Sequence, residues 1–228
     1  MRNTYIIALL VTTAFTGRAQ VSTLENGHGV VSYYTDTNQV NWFSNGADAN
    51  NTVIQDGTTV ETDLDGGVDI ILGKQVYSTP PVNQPQQQRV PQSVVRLSPS
   101  TSVTIDNTHV QYTGIDEVAT RQITLNHGVI AVSLNKSSKL SSLRIVYNGG
   151  VIVASDAVFS LSSEGALAVT AGSVTVIQNG KATQVSAGYV SAGGQGLPTP
   201  NISANYWQTV THVKDNTQTY VSPTQGAK

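Results

Sequence analysis

Short runs of alternating apolar and polar residues, each closed by turn residues, repeat along the chain from Val21 to Ala192. A strand places successive side chains on opposite faces, so such alternation marks a strand with one face against a core. The pattern predicts strands at residues 29–34, 40–43, 68–72, 94–97, 103–105 and 122–125. It continues at 129–134, 143–146, 151–154, 158–161, 167–170, 174–177 and 183–185. In the run at 129–134, Val129, Ala131 and Ser133 fall on one face and Ile130, Val132 and Leu134 on the other. The second set reads as the buried face of a half-exposed strand. Turn signals separate the runs: Asp65-Gly66-Gly67, Asn148-Gly149-Gly150, Glu164-Gly165 and Asn179-Gly180-Lys181. Asn-Gly and Asp-Gly steps supply the positive φ that tight hairpins need. No stretch beyond Gln20 keeps a 3.6-residue period, so the prediction is all-β with no significant helix. Short strands at this spacing suit a β-roll, a solenoid-like stack or a sandwich.

Three segments depart from the pattern. Arg2 followed by an apolar run at 5–15, then Gly17-Arg18-Ala19, has the form of a cleavable secretory signal ending before Gln20. That run is shorter than the roughly 20 residues a membrane-spanning helix needs, and no other segment is apolar enough. Residues 78–93 (STPPVNQPQQQRVPQS) are rich in Pro and Gln and predict an extended loop. From Gly193, with Gly194, Gln195 and Gly196, the composition turns to that of a polar, flexible tail. The expected organisation is a signal peptide at 1–19, a β-domain at 20–192 with a loop insertion at 78–93, and a tail at 193–228. The expected location is outside the cytoplasm, in the periplasm, at the cell surface or in the medium, with no span after cleavage.

Composition narrows the partners. Charged residues make up 11% of the chain, against roughly 25% in an average soluble domain. A net charge of -2, with the basic residues scattered singly, gives no field or patch for nucleic acid. Cysteine is absent, which removes disulfides, thiolate chemistry and a lipoprotein anchor.

Candidate chemistry is sparse. His28, His109, His127 and His212 stand at no metal-ligand spacing. Glu61, Asp63, Asp65 and Asp69 form the densest charge. Carboxylates at alternate positions can converge on calcium, but the bidentate glutamate of an EF-hand is missing. Side chains at 61, 63 and 65 would share one face, so the segment reads as a solvated acidic strand edge. No Gly-x-Ser-x-Gly elbow is present, and Ser162-Ser163-Glu164-Gly165 reads as a hairpin end. No phosphate loop opens a helix. No catalytic, metal or cofactor residues are assigned, and the chain does not read as an enzyme. Tyr33, Tyr34, Trp42 and Phe43 cluster in sequence and form a candidate ligand-contact patch, able to stack on sugars or to pack at a core edge.

The order of several short motifs resembles the FecR-like periplasmic domain family of bacteria. Gly57-Thr58-Thr59-Val60-Glu61-Thr62 with Asp65-Gly66-Gly67-Val68-Asp69-Ile70 is similar to its opening, with Gly66 and Gly67 in a hairpin. The segments at 95–105, His127-Gly128-Val129-Ile130-Ala131-Val132, Ala171-Gly172-Ser173-Val174-Thr175-Val176 and Ala187-Gly188-Tyr189 resemble its later motifs. Two departures stand out: Ser155-Asp156-Ala157 replaces a Gly-Thr pair, and 78–93 is inserted where a short turn is usual. The resemblance implies an exported, non-catalytic β-domain used for protein or cell-envelope contacts. The family's signalling role needs a cytoplasmic anti-sigma segment and a membrane helix, so it is not carried over to a domain preceded by a signal peptide.

Three functions follow as expectations. The first is a binding or structural module for a protein or envelope polymer, with self-association through sheet edges. The second is a carbohydrate- or envelope-polymer-binding or hydrolytic protein of the periplasm. The third is an accessory extracytoplasmic signalling regulator.

Overall fold

The computed structural model describes residues 22–72, 93–113, 116–134 and 140–191, and for 107–113, 116–120 and 140–141 the backbone alone. The expected signal peptide at 1–19, the tail at 193–228 and nearly all of the 78–93 insertion lie outside the described residues.

The fold is all-β. Its strands are β1 (Ser22–His28), β2 (Val31–Tyr34), β3 (Asn41–Phe43), β4 (Val53–Ile54), β5 (Thr59–Thr62), β6 (Gly67–Leu72), β7 (Ser93–Leu97) and β8 (Ser102–Thr113). They continue as β9 (Asp116–His127), β10 (Val129–Ser133), β11 (Leu140–Tyr147), β12 (Gly150–Ala154), β13 (Ala157–Ser162), β14 (Leu167–Gln178), β15 (Lys181–Ser186) and β16 (Tyr189–Ser191). One short 3-10 turn, Gly46–Ala49, is capped by Asn45. Hydrogen bonds join the strands into a single open, mixed sheet in which β9 and β11 form a parallel pair.

The sheet has two halves. In the first, β4, β1, β6, β7, β10, β13 and the start of β14 lie side by side, with β16 outermost. In the second, the order is β3, β2, β5, β8, β9, β11, β12, the end of β14, then β15. The chain passes between halves at corners: β1 to β2, β5 to β6, β7 to β8, β9 to β10, β12 to β13 and β15 to β16. Strand β14 turns such a corner without ending. Before Gly172 it pairs with β13 and β16, and after it with β12 and β15.

Both halves feed one core. Leu24, Ile70, Val95, Ile130 and Phe159 of the first half cluster with Val60, Val103, Ile123, Ile145 and Ile152 of the second. Each such side chain contributes roughly 1.5–3 kcal/mol by leaving water. The sheet therefore folds over itself as a roll.

The corners explain the motif glycines. Gly128 (φ +89°) and Gly172 (φ +68°) occupy left-handed backbone where the chain changes halves. A Cβ at Gly128 would lie 2.4 Å from Thr101 Oγ1, and one at Gly172 would lie 2.0 Å from the Asp156 carbonyl oxygen. Corners are also tied to one another. Thr62 Oγ1 accepts from the Thr101 amide (3.0 Å) and donates to the Ser98 carbonyl (2.6 Å), while Thr101 Oγ1 accepts from the Val129 amide (3.0 Å).

Several expectations change. Gly66 and Gly67 stand at the β5–β6 corner and not in a hairpin, because β5 and β6 lie in different halves. Neither has positive φ; a Cβ at Gly66 is excluded by the Val30 carbonyl at 2.2 Å. The runs at 167–170 and 174–177 are one strand bent at Gly172. Strand β10 is not half-exposed: Ala131 and Ser133 are buried as fully as Ile130 and Val132, since the second face of this half is also covered. Asn179 and Gly180 (φ +49° and +74°) do form the expected tight turn, joining β14 to β15. Strand β1 has Leu24 as its one large apolar residue, so alternation does not reveal it.

Candidate binding face

The outer face of the first half is closed to ligands: Asp69, Ile71, Val94, Ala131, Ser160 and Ala168 are all fully buried. On the outer face of the second half Tyr34, Thr59, Glu61, Thr104, Gln122 and Thr124 are half-buried, while the small Ser32 and Ser102 are 2% exposed. There the alternation of β2 and β3 divides the aromatic patch. The pairs Val31–Phe43, Ser32–Trp42 and Tyr33–Asn41 put Tyr33 and Phe43 on the core side. Their rings stack at 5.8 Å and 17° and pack against the core. Tyr34 and Trp42 fall on the opposite face, where Trp42 is 67% exposed. An exposed tryptophan leaves a large, rigid apolar surface in water, with an indole N–H beside it.

Strand register extends this face from Trp42. One row runs Trp42, Ser32, Glu61, Ser102, His127 across β3, β2, β5, β8 and β9. The next runs Tyr34, Thr59, Thr104, Thr124. Strand spacing makes the first row about 19 Å long.

The polar groups of these rows hold one another. Glu61 Oε1 accepts from the Tyr34 hydroxyl (3.0 Å) and from Ser102 Oγ (3.1 Å). Asn126 Nδ2 donates to Ser102 Oγ (3.1 Å) and to Thr104 Oγ1 (3.0 Å), and Thr104 shares a 2.9 Å bond with Thr59. Further along, Asp106 Oδ2 accepts from Thr124 (2.7 Å) and Gln122 (3.4 Å). Partial burial raises the Tyr34 phenol above its ordinary value, and the hydrogen bond and charge of Glu61 push it the same way. Its proton therefore stays on and fixes it as the donor. Glu61 Oε2 accepts no hydrogen bond from the described residues and remains an open acceptor.

The ribbon lacks the geometry of a nucleophile relay. His127 follows Ser102 in the register row, yet the Ser102 hydroxyl donates to Glu61. A relay needs the imidazole between hydroxyl and carboxylate.

The acidic segment does not form an acidic edge. Strand β5 lies inside the sheet between β2 and β8, and the chain turns a corner after Thr62. Glu61 joins the ribbon, Asp63 and Asp65 are exposed at the corner, and Asp69 is fully buried in β6. Arg96 clasps Asp69 with two bonds of 2.6 and 2.7 Å, and Asn26 adds a third at 2.8 Å. Burial raises the Asp69 carboxyl, while Arg96 and Asn26 lower it. Among the described residues no three His, Asp or Glu side chains converge to hold a metal. His28 and His127 are exposed at strand ends; the His109 side chain and all of His212 lie outside the described residues.

Sequence reading missed Ser102, Thr104, Asn126 and Thr59 as members of a site. The signal was present as hydroxyl and amide residues alternating with Val103, Ile105, Ile123 and Leu125, but register was needed to bring them together.

No family model matches the chain, and no curated protein matches its sequence. Solved structures that align with it include two described as the "Crystal structure of a putative anti-sigma factor from Parabacteroides distasonis ATCC 8503", at 1.65 and 2.50 Å resolution. They are 14% and 12% identical to it, with TM-scores of 0.39 and 0.38. Each alignment covers 62% of this chain and spans 57% of the other.

Proposed function

We propose that this chain is an exported, non-catalytic β-domain of FecR-like type that binds a protein or cell-envelope polymer through the outer face of its second half-sheet. One observation carries the reading: a ribbon of mutually hydrogen-bonded Tyr34, Glu61, Ser102, Asn126, Thr104 and Thr59 lies beside an exposed Trp42. Groups held in advance lose little freedom on binding, which favours affinity. The FecR-like assignment rests on the order of the motifs and on Gly128 and Gly172, which stand where the chain changes halves. Export rests on the signal pattern at 1–19.

The test is cosedimentation with isolated bacterial envelopes. The full chain is expressed with its own N-terminus, and the exported product is expected to begin at Gln20. It should pellet with envelopes, and Trp42→Thr should stay in the supernatant while melting normally. Equal pelleting of both proteins, or none by either, refutes a binding role for this face.

A further inference from the structure

We infer that the ligand of this face is an uncharged oligosaccharide stretch of a polymer, an inference that rests on the binding-face reading above. The ribbon consists of four side chains that can each donate and accept (Tyr34, Ser102, Thr104 and Thr59), one carboxamide (Asn126) and one carboxylate (Glu61). A sugar ring also combines donors and acceptors on every hydroxyl, so it can answer such a set wherever it lies. Glu61 Oε2 is the open acceptor, and a hydroxyl bonding to a carboxylate makes one of the stronger hydrogen bonds.

Trp42 supplies the complementary apolar part. Its indole stands at the end of the row, separated from Glu61 by Ser32, which is small and 2% exposed. A pyranose can lay its C–H face on the indole while its hydroxyl edge meets Glu61, which the buried Ser102 holds in place from beneath. The row length of about 19 Å suits a short oligomer more than a single ring. Two alternatives fit less well. A polyanion would meet the Glu61 carboxylate with no cation in the ribbon to receive it. A protein partner would want an apolar centre with a polar rim, whereas here the polar groups are central and the indole terminal.

The experiment uses the full chain carrying Trp207→Phe, which leaves Trp42 as its one tryptophan. Cellotetraose and tetra-N-acetylchitotetraose are the uncharged probes, and tetragalacturonate is the anionic one. The expected result is a saturable shift of Trp42 fluorescence with at least one uncharged probe and none with the anion. Calorimetry with the same probe should show Trp42→Thr and Glu61→Gln each weakening binding by about tenfold or more. Both variants should melt within about 2 °C of the parent, as surface changes do. No saturable binding of either uncharged probe, preference for the anion, or binding indifferent to both substitutions overturns the inference. Envelope cosedimentation separates the two failures. If it depends on Trp42 while neither uncharged tetrasaccharide binds or competes, the face binds something other than a saccharide. If it ignores Trp42, the binding-face reading itself falls.

Discussion

Gly172→Ala tests whether the roll depends on its corners. The residue lies within β14 at φ +68°, where the strand leaves one half of the sheet for the other. Two costs follow from adding a methyl group. Left-handed backbone costs a residue with a Cβ roughly 1–2 kcal/mol. The new Cβ would also lie 2.0 Å from the Asp156 carbonyl oxygen, and that oxygen is backbone and cannot rotate away. Relieving such overpacking costs about 1–3 kcal/mol more. The sum is about 2–5 kcal/mol, or roughly 4–20 °C in Tm for a domain of this size. Gly180→Ala is the control. It lies in the turn that follows the same strand, with φ +74°, but a Cβ there meets nothing within 4 Å. It should cost the backbone share alone, about 1–2 kcal/mol. Urea unfolding of both variants, at equal m, measures the difference. Agreement between the two within about 0.5 kcal/mol would show that the corner yields freely and that crowding against Asp156 is not what selects glycine.

Two further outcomes are expected. Burial raises the Asp69 carboxyl in the folded chain, so the folded state holds that proton more tightly than the unfolded state. Its contribution to stability is then largest below the unfolded value of about 3.9 and falls as pH rises through the raised folded value. The stability of the parent minus that of Asp69→Asn, from denaturant melts at stepped pH, should decline across that window. A difference that rises instead would mean that Arg96 outweighs burial. Thr62→Val keeps shape but strands the Thr101 amide and the Ser98 carbonyl at the corners. It should cost about 1–3 kcal/mol in urea melts, with Thr62→Ser largely restoring the loss; equal stability of Val and Ser would show that the hydroxyl does not tie the corners.

Much of the fold was legible from local pattern. Alternation at β11, β12 and the second part of β14 marked strands, because period-two burial is written directly in side-chain order. The Asn179-Gly180 turn was readable for the same local reason. Strand β1 was not, since Ser22–His28 is held by neighbours β4 and β6 more than by its own apolar content. The acidic run from Glu61 to Asp69 misled for a related reason. A corner inside it sends Glu61 to a half-exposed face and Asp69 into a buried pair with Arg96, residues that are distant in sequence.

The candidate site divides the same way. Sequence alone determined that Tyr33, Tyr34, Trp42 and Phe43 lie close together and that the chain is all-β. Only the tertiary structure decided which aromatics face the core and which face water. It also brought Glu61 beside Ser102 and Asn126, because cross-strand register joins residues that the chain keeps far apart. Side-chain period is a local property of a strand, whereas register and corners are settled by how the whole sheet closes over its core.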